Sequence, residues 1–85
     1  MRDSEKQIDE FLVILRKHAI RKSMLYDGVK VAAASSPDVC LRYATEELGE
    51  IAAALTRERL KLAEYESIDL AHAAMLIWMS LAEKT

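Results

Sequence analysis

Eighty-five residues, 52% hydrophobic and 31% charged, make one domain near the size at which a single core is marginal without a partner, a metal or disulfides. Twelve basic against fourteen acidic residues leave a net charge of -2, without the basic excess of a nucleic-acid binder, and the single cysteine, Cys40, excludes an intramolecular disulfide. Residues 1–6 are charged and carry no signal-peptide apolar core, and the longest apolar stretch, residues 70–82, is too short to span a bilayer and contains His72 and Ser80. A cytoplasmic protein without nucleic-acid or membrane partners is expected.

With two Gly, one Pro and no period-2 run, the pattern is helical throughout. It predicts an all-α fold in which residues 1–85 form a single helical domain: three main helices, an antiparallel bundle completed by oligomerisation. Ile8, Phe11, Leu12, Leu15 and Ala19 recur at i, i+3, i+4, i+7 and i+11, an amphipathic first helix from about residue 4 to the low twenties. Arg16, Lys17, Arg21 and Lys22 form a basic cluster on it, either a solvated face or an attractor of phosphates. Asp27-Gly28 ends or bends this helix. Ser36 then suits an N-cap and Pro37 the first position of a second helix, which runs to about residue 55. Cys40 falls on its apolar face and reads as a small buried hydrophobe.

The third helix, from about 57 to 83, is apolar on several sides. Ile68, Met75 and Met79 share one, Leu60, Ala71 and Trp78 another, while Leu62, Ala73 and Leu76 lie with Asp69 on a third. Such a helix must be covered on nearly every side, which three helices of this size cannot do. A dimer or higher oligomer built around the third helix follows, with Trp78 at its interface. Tyr43, Tyr65 and Trp78 carry rings able to stack on a base, but at helical spacing in apolar surroundings they read as core or interface.

Two acidic motifs break the apolar pattern: Glu46-Glu47-x-x-Glu50 and Glu66-x-x-Asp69. At about 100° per residue, Glu47 points with Cys40, Ala44, Ile51 and Ala54, with Glu50 at the edge of that arc. Glu66 lies beside Asp69. An ionised carboxylate without a partner there costs several kcal/mol or is driven to protonate, and no run of Lys or Arg shares these faces. A hard divalent cation with oxygen ligands resolves the conflict. Fifteen residues, 51–65, separate Glu50 from Glu66. If the chain folds back near Thr56-Arg57-Glu58-Arg59, both motifs lie about 14 Å from the turn and face each other across antiparallel helices. The turn has no Gly or Pro; Thr56 as an N-cap is the local signal that breaks the helix. The competing reading is an ordinary solvated face, as for Glu46, Glu58 and Glu64. His72, three residues after Asp69, reads as a satisfied histidine near a substrate entrance or an oligomer interface.

At these residues, EELGEIAAAL followed by EYESIDLAHAAMLIW, the chain resembles the MazG-like all-α nucleoside triphosphate pyrophosphohydrolases. Relatives of that superfamily include the dimeric dUTP pyrophosphatases and phosphoribosyl-ATP pyrophosphohydrolase. The resemblance covers about residues 38–82. It implies that Glu47, Glu50, Glu66 and Asp69 are metal ligands, that Glu46 matches the first acid of the motif, and that the cofactor is Mg²⁺ with Mn²⁺ as a substitute. It also implies hydrolysis of a nucleoside triphosphate, NTP or dNTP, to the monophosphate and pyrophosphate. A carboxylate not fully engaged by metal, Glu46 or Glu50, is the candidate to orient the water. Lys17, Arg21, Lys22 and Lys30 are candidates to balance the triphosphate. No Gly-rich Walker loop is present, so the anion would be bound through metal. The alternative is a non-catalytic dimeric interaction or regulatory module on the same scaffold, distinguishable by its indifference to divalent metal.

Overall fold

Asp3 opens the first helix: its side chain accepts the backbone N–H of Glu5 at 3.0 Å, and its carbonyl accepts that of Gln7. Helix α1 runs Ser4–Tyr26, α2 Pro37–Thr56 and α3 Leu60–Ala82. The computed structural model describes residues 3–26 and 36–82. The Asp27-Gly28 break, the segment 29–34 and Lys30 lie outside the described residues. Those residues contain no strand, and the fold is all-α. None of their helices is long and apolar enough to cross a membrane.

The start of α2 follows the local chemistry of its sequence. Ser36 is extended (φ -68°, ψ 150°), its hydroxyl oxygen accepts the N–H of Val39 at 3.4 Å, and Pro37 occupies the first turn, where no N–H is required. The end of α2 departs from expectation. Thr56 does not cap a following helix; it closes α2, and its hydroxyl donates to the carbonyl of Ala52 at 2.9 Å. The reversal is made by Glu58, left-handed at φ 56°. Its N–H donates to the carbonyl of Leu55 at 3.1 Å and that of Arg59 to Ala54 at 2.8 Å, the paired bonds of a Schellman C-cap. Glycine usually fills that position. Here a glutamate bears a left-handed backbone at a cost of about 1 kcal/mol.

The tight turn makes α2 and α3 an antiparallel hairpin whose interior is built from small side chains. Cys40, Ala44, Glu47 and Ala54 are buried on α2, and Ala63, Asp69, His72, Ala73, Leu76 and Ser80 on α3. Alanine at the contact lets the helix axes approach closely, which favours dispersion over volume. Leu62 stands seven residues before Asp69, on the same side of α3 but near the end of the helix. It is 41% exposed, and Ala63 takes the interhelical place one turn from the reversal. Helix α1 lies against α3, burying His18 and Ala19, while Ile8, Phe11 and Leu12 stay exposed. Leu76 is the one large aliphatic among the buried hydrophobic residues described. The radius of gyration, 13.9 Å, exceeds the roughly 12 Å of a closed domain of this length.

Candidate metal centre

The periodicity that buries Cys40 and Ala44 carries Glu47 into the hairpin, and the one that buries Ala73 and Leu76 carries Asp69 in from the other side. Glu66, one turn before Asp69, is half-buried beside them. One ligand oxygen from each of Glu47, Glu66 and Asp69 lies within 4.8 Å of the others. That spacing suits a single divalent cation with oxygens about 2.0–2.6 Å away. Glu47 and Asp69 are each only 7% exposed. Glu47 Oε2, Glu66 Oε2 and Asp69 Oδ1 have no hydrogen-bond partner among the described residues. Buried carboxylate oxygens left in this way are costly.

Their electrostatics state the same conflict. Burial, a hydrogen bond with Glu66 and the charges of Asp69, Glu50 and Glu66 push the Glu47 carboxyl up to about 8. Glu66 is raised by burial first, and by its neighbours Glu50 and Asp69, against a lowering by the bond to Glu47. Tyr43, one turn before Glu47, is pushed up to about 12 by burial and by the surrounding acids. The cluster carries more negative charge than its surroundings compensate. Its all-oxygen donors and orphaned lone pairs fit a hard divalent cation.

Of the residues expected at the site, Glu47, Glu66 and Asp69 are brought together, and Glu50 stands exposed at their edge, hydrogen-bonding with Glu66. Glu46 is solvent-exposed, and the charges acting on Glu47 come from Glu66, Asp69 and Glu50. Lys17 and Arg21 are exposed on α1, and Lys22 lies near enough to His72 to oppose its protonation. Lys30 is outside the described residues. The turn instead supplies two cations that the sequence pattern did not nominate. Arg57 and Arg59 line a cleft of about 350 Å³ with Glu50, Ala53, Leu62 and Glu66. Their place between the two acidic motifs was the available signal.

A second unforeseen residue is His18, 3% exposed, whose Nε2 lies 2.6 Å from Asp69 Oδ1. The expectation of no cation on the acidic faces covered Lys and Arg only. His18 stands seven residues after Phe11 and three after Leu15, inside the apolar arc of α1, the same kind of signal that exposed Glu47. His72 also departs from expectation. It is 5% exposed, and neither ring nitrogen has a hydrogen-bond partner among the described residues, so it is buried rather than satisfied. Burial, His18 and Lys22 lower its pKa against the opposing pull of Asp69. The two imidazoles meet edge to face with centroids 5.4 Å apart, and Tyr65 packs on His18 in the same manner at 5.9 Å.

No family model matches the chain, and no curated protein and no solved structure matches it significantly.

Proposed function

We propose that this chain is a divalent-cation-dependent nucleoside triphosphate pyrophosphohydrolase of the MazG-like kind, converting an NTP or dNTP in the cytoplasm to its monophosphate and pyrophosphate. The observation that carries the reading is the trio of carboxylates, Glu47 and Asp69 buried and Glu66 half-buried, with one ligand oxygen of each within 4.8 Å of the others. These residues would hold Mg²⁺, or Mn²⁺ in its place. The ion supplies neutralisation of phosphate oxygens and a more acidic water. Glu50, exposed beside Glu66, would orient the attacking water and take its proton. Arg57 and Arg59, on the wall of the cleft shared with Glu50 and Glu66, offer guanidinium groups to the phosphates, with planar donor forks suited to their oxygens.

A panel of nucleoside triphosphates assayed with Mg²⁺ or Mn²⁺ tests this directly. Pyrophosphate and monophosphate should appear in equal amounts and cease on chelation. No release from any member of the panel, with either ion, would contradict the assignment.

A second reading rests on the surface. Ile8, Leu12, Ile14, Leu60, Trp78 and Leu81 are all exposed in the single chain. A homodimer or higher homo-oligomer covering them serves the enzyme, and equally a non-catalytic interaction module. Only the enzyme depends on the ion.

A further inference from the structure

The side of the hairpin that α1 leaves open is patterned with a period of seven. Leu41, Leu48 and Leu55 form one column on α2, each more than half exposed, and Ser67, Ala74 and Leu81 form a second on α3, also exposed. Each of these residues follows by one position a side chain turned towards the neighbouring helix: Cys40, Glu47 and Ala54 on α2, Glu66, Ala73 and Ser80 on α3. One position is about 100° of rotation, and on antiparallel helices the same sense of rotation leads to the same side of the pair. The two columns therefore share one face. Tyr65 and His72, which precede Glu66 and Ala73, turn the other way, and both meet His18 of α1.

This face is ready for burial. Neither column contains a charged residue, and the hydroxyls of Thr45, between Leu41 and Leu48, and of Ser67 donate to the carbonyls of Leu41 and Ala63 at 2.9 and 2.8 Å. Their polar groups are satisfied without water. The face is also complementary to itself: the column on α2 is leucine throughout, whereas that on α3 is small at Ser67 and Ala74. Leu48 stands ten residues before Glu58 at the reversal and Ser67 nine after it, so a large side chain and a small one lie at one height. Two-fold symmetry can lay the leucine column of one copy on the small column of the other, knob into hole. The area suffices. The chain exposes 6478 Å² against about 5100 Å² for a closed monomer of its mass, and the surplus exceeds the roughly 800 Å² that each partner gives to a standard interface.

We propose that this face is the docking surface for a second copy of the chain, so that two hairpins of α2 and α3 close a four-helix core with their α1 helices outside it. The inference stands apart from the metal reading. It makes α2 as much a part of the interface as α3, and it assigns the exposed Ile8, Leu12 and Ile14 of α1 to a different surface.

Sedimentation equilibrium of the wild-type protein, joined to hydroxyl-radical footprinting of the species it finds, reads the face without any substitution. A dimer is expected in which Leu48 and Leu55 are labelled at least about fivefold less than Leu12, because the centre of an interface excludes water; in the single chain all three are about equally exposed. Leu48→Glu should raise the dimer dissociation constant by about thirtyfold or more, while Leu12→Glu leaves it unchanged, with circular dichroism confirming that both variants stay helical. A wild type that remains monomeric at micromolar concentration would overturn the proposal and leave the face to a different partner. A dimer in which Leu48 is labelled as fully as Leu12, or one that Leu12→Glu dissociates and Leu48→Glu does not, would overturn it in favour of α1.

Discussion

The two sides of α3 invert the usual order of a folded helix. One side, buried against α2 and α1, carries Asp69, His72 and Ser80 among its inward residues. The other leaves Leu60 and Leu81 in solvent, with Trp78 69% exposed. Neither arrangement is stable on its own terms: buried acids need a counter-charge, and an exposed tryptophan among leucines needs a cover. His18 meets Asp69 from within the chain, while Glu47 and Glu66 remain beside it. On the proposed reading a cation would meet the inward need and a second copy the outward one.

The comparison breaks most sharply if the inward side is neutralised. Glu50→Gln or Asp69→Asn removes a charge and almost no volume, so the helices should persist while pyrophosphate release falls by at least about a hundredfold. Circular dichroism and a turnover assay on the same preparations decide it; wild-type release from either purified variant would remove the residue from the site. Next in size is the outward side. Trp78→Glu places a charge where self-association would bury a ring, and should weaken assembly by about 2 kcal/mol or more, lowering activity with it. Sedimentation or light scattering reads the first effect. A compact, fully active wild-type monomer at micromolar concentration would show that the outward side needs no cover.

A smaller effect isolates the inward side without mutation. The folded Glu47 carboxyl is pushed up to about 8 from an ordinary 4.5, by burial first and then by the hydrogen bond with Glu66 and neighbouring charge. Between those values the folded, metal-free chain holds a proton that the unfolded chain has released. The associated stability is fully present below about pH 4.5 and is lost as the pH rises through about 8. In chelator, the melting temperature should therefore drop by several degrees from pH 5 to pH 8, and saturating divalent ion should flatten or reverse that trend, since the ligands must be deprotonated to bind it. A flat profile in chelator would mean that the carboxyls are relieved some other way.

The smallest effect lies where the two helices meet. Glu58→Gly should stabilise the hairpin by about 0.5–1 kcal/mol, because the left-handed backbone then carries no Cβ penalty. Denaturant melts would register it. A loss of stability would mean that the Glu58 side chain contributes more than its strain costs.

Legibility followed the same division. The interior of α2 was readable because Cys40, Ala44, Glu47 and Ala54 repeat with the helical period, and the Ser36-Pro37 start because capping is local chemistry. The reversal was readable from the symmetry of the two acidic motifs but not in its mechanism, since a non-glycine residue in a left-handed conformation leaves no mark in composition. On α1 the period located an apolar arc without saying what would cover it. Ile8, Phe11 and Leu12 pointed to a buried face, and solvent meets them instead. His18 was hidden by those same neighbours, because a lone histidine in an apolar arc acquires meaning only when Asp69 stands opposite it.

The central claim is that Glu47, Glu66 and Asp69 form a cation site, and melting the protein with excess Mg²⁺ or Mn²⁺ against excess chelator, at constant ionic strength, tests it most directly. At a hundred times its dissociation constant an ion bound only by the folded state adds about 2.7 kcal/mol, a rise in melting temperature of roughly 10 °C or more for a domain of this size. Superimposable curves in ion and chelator would contradict it.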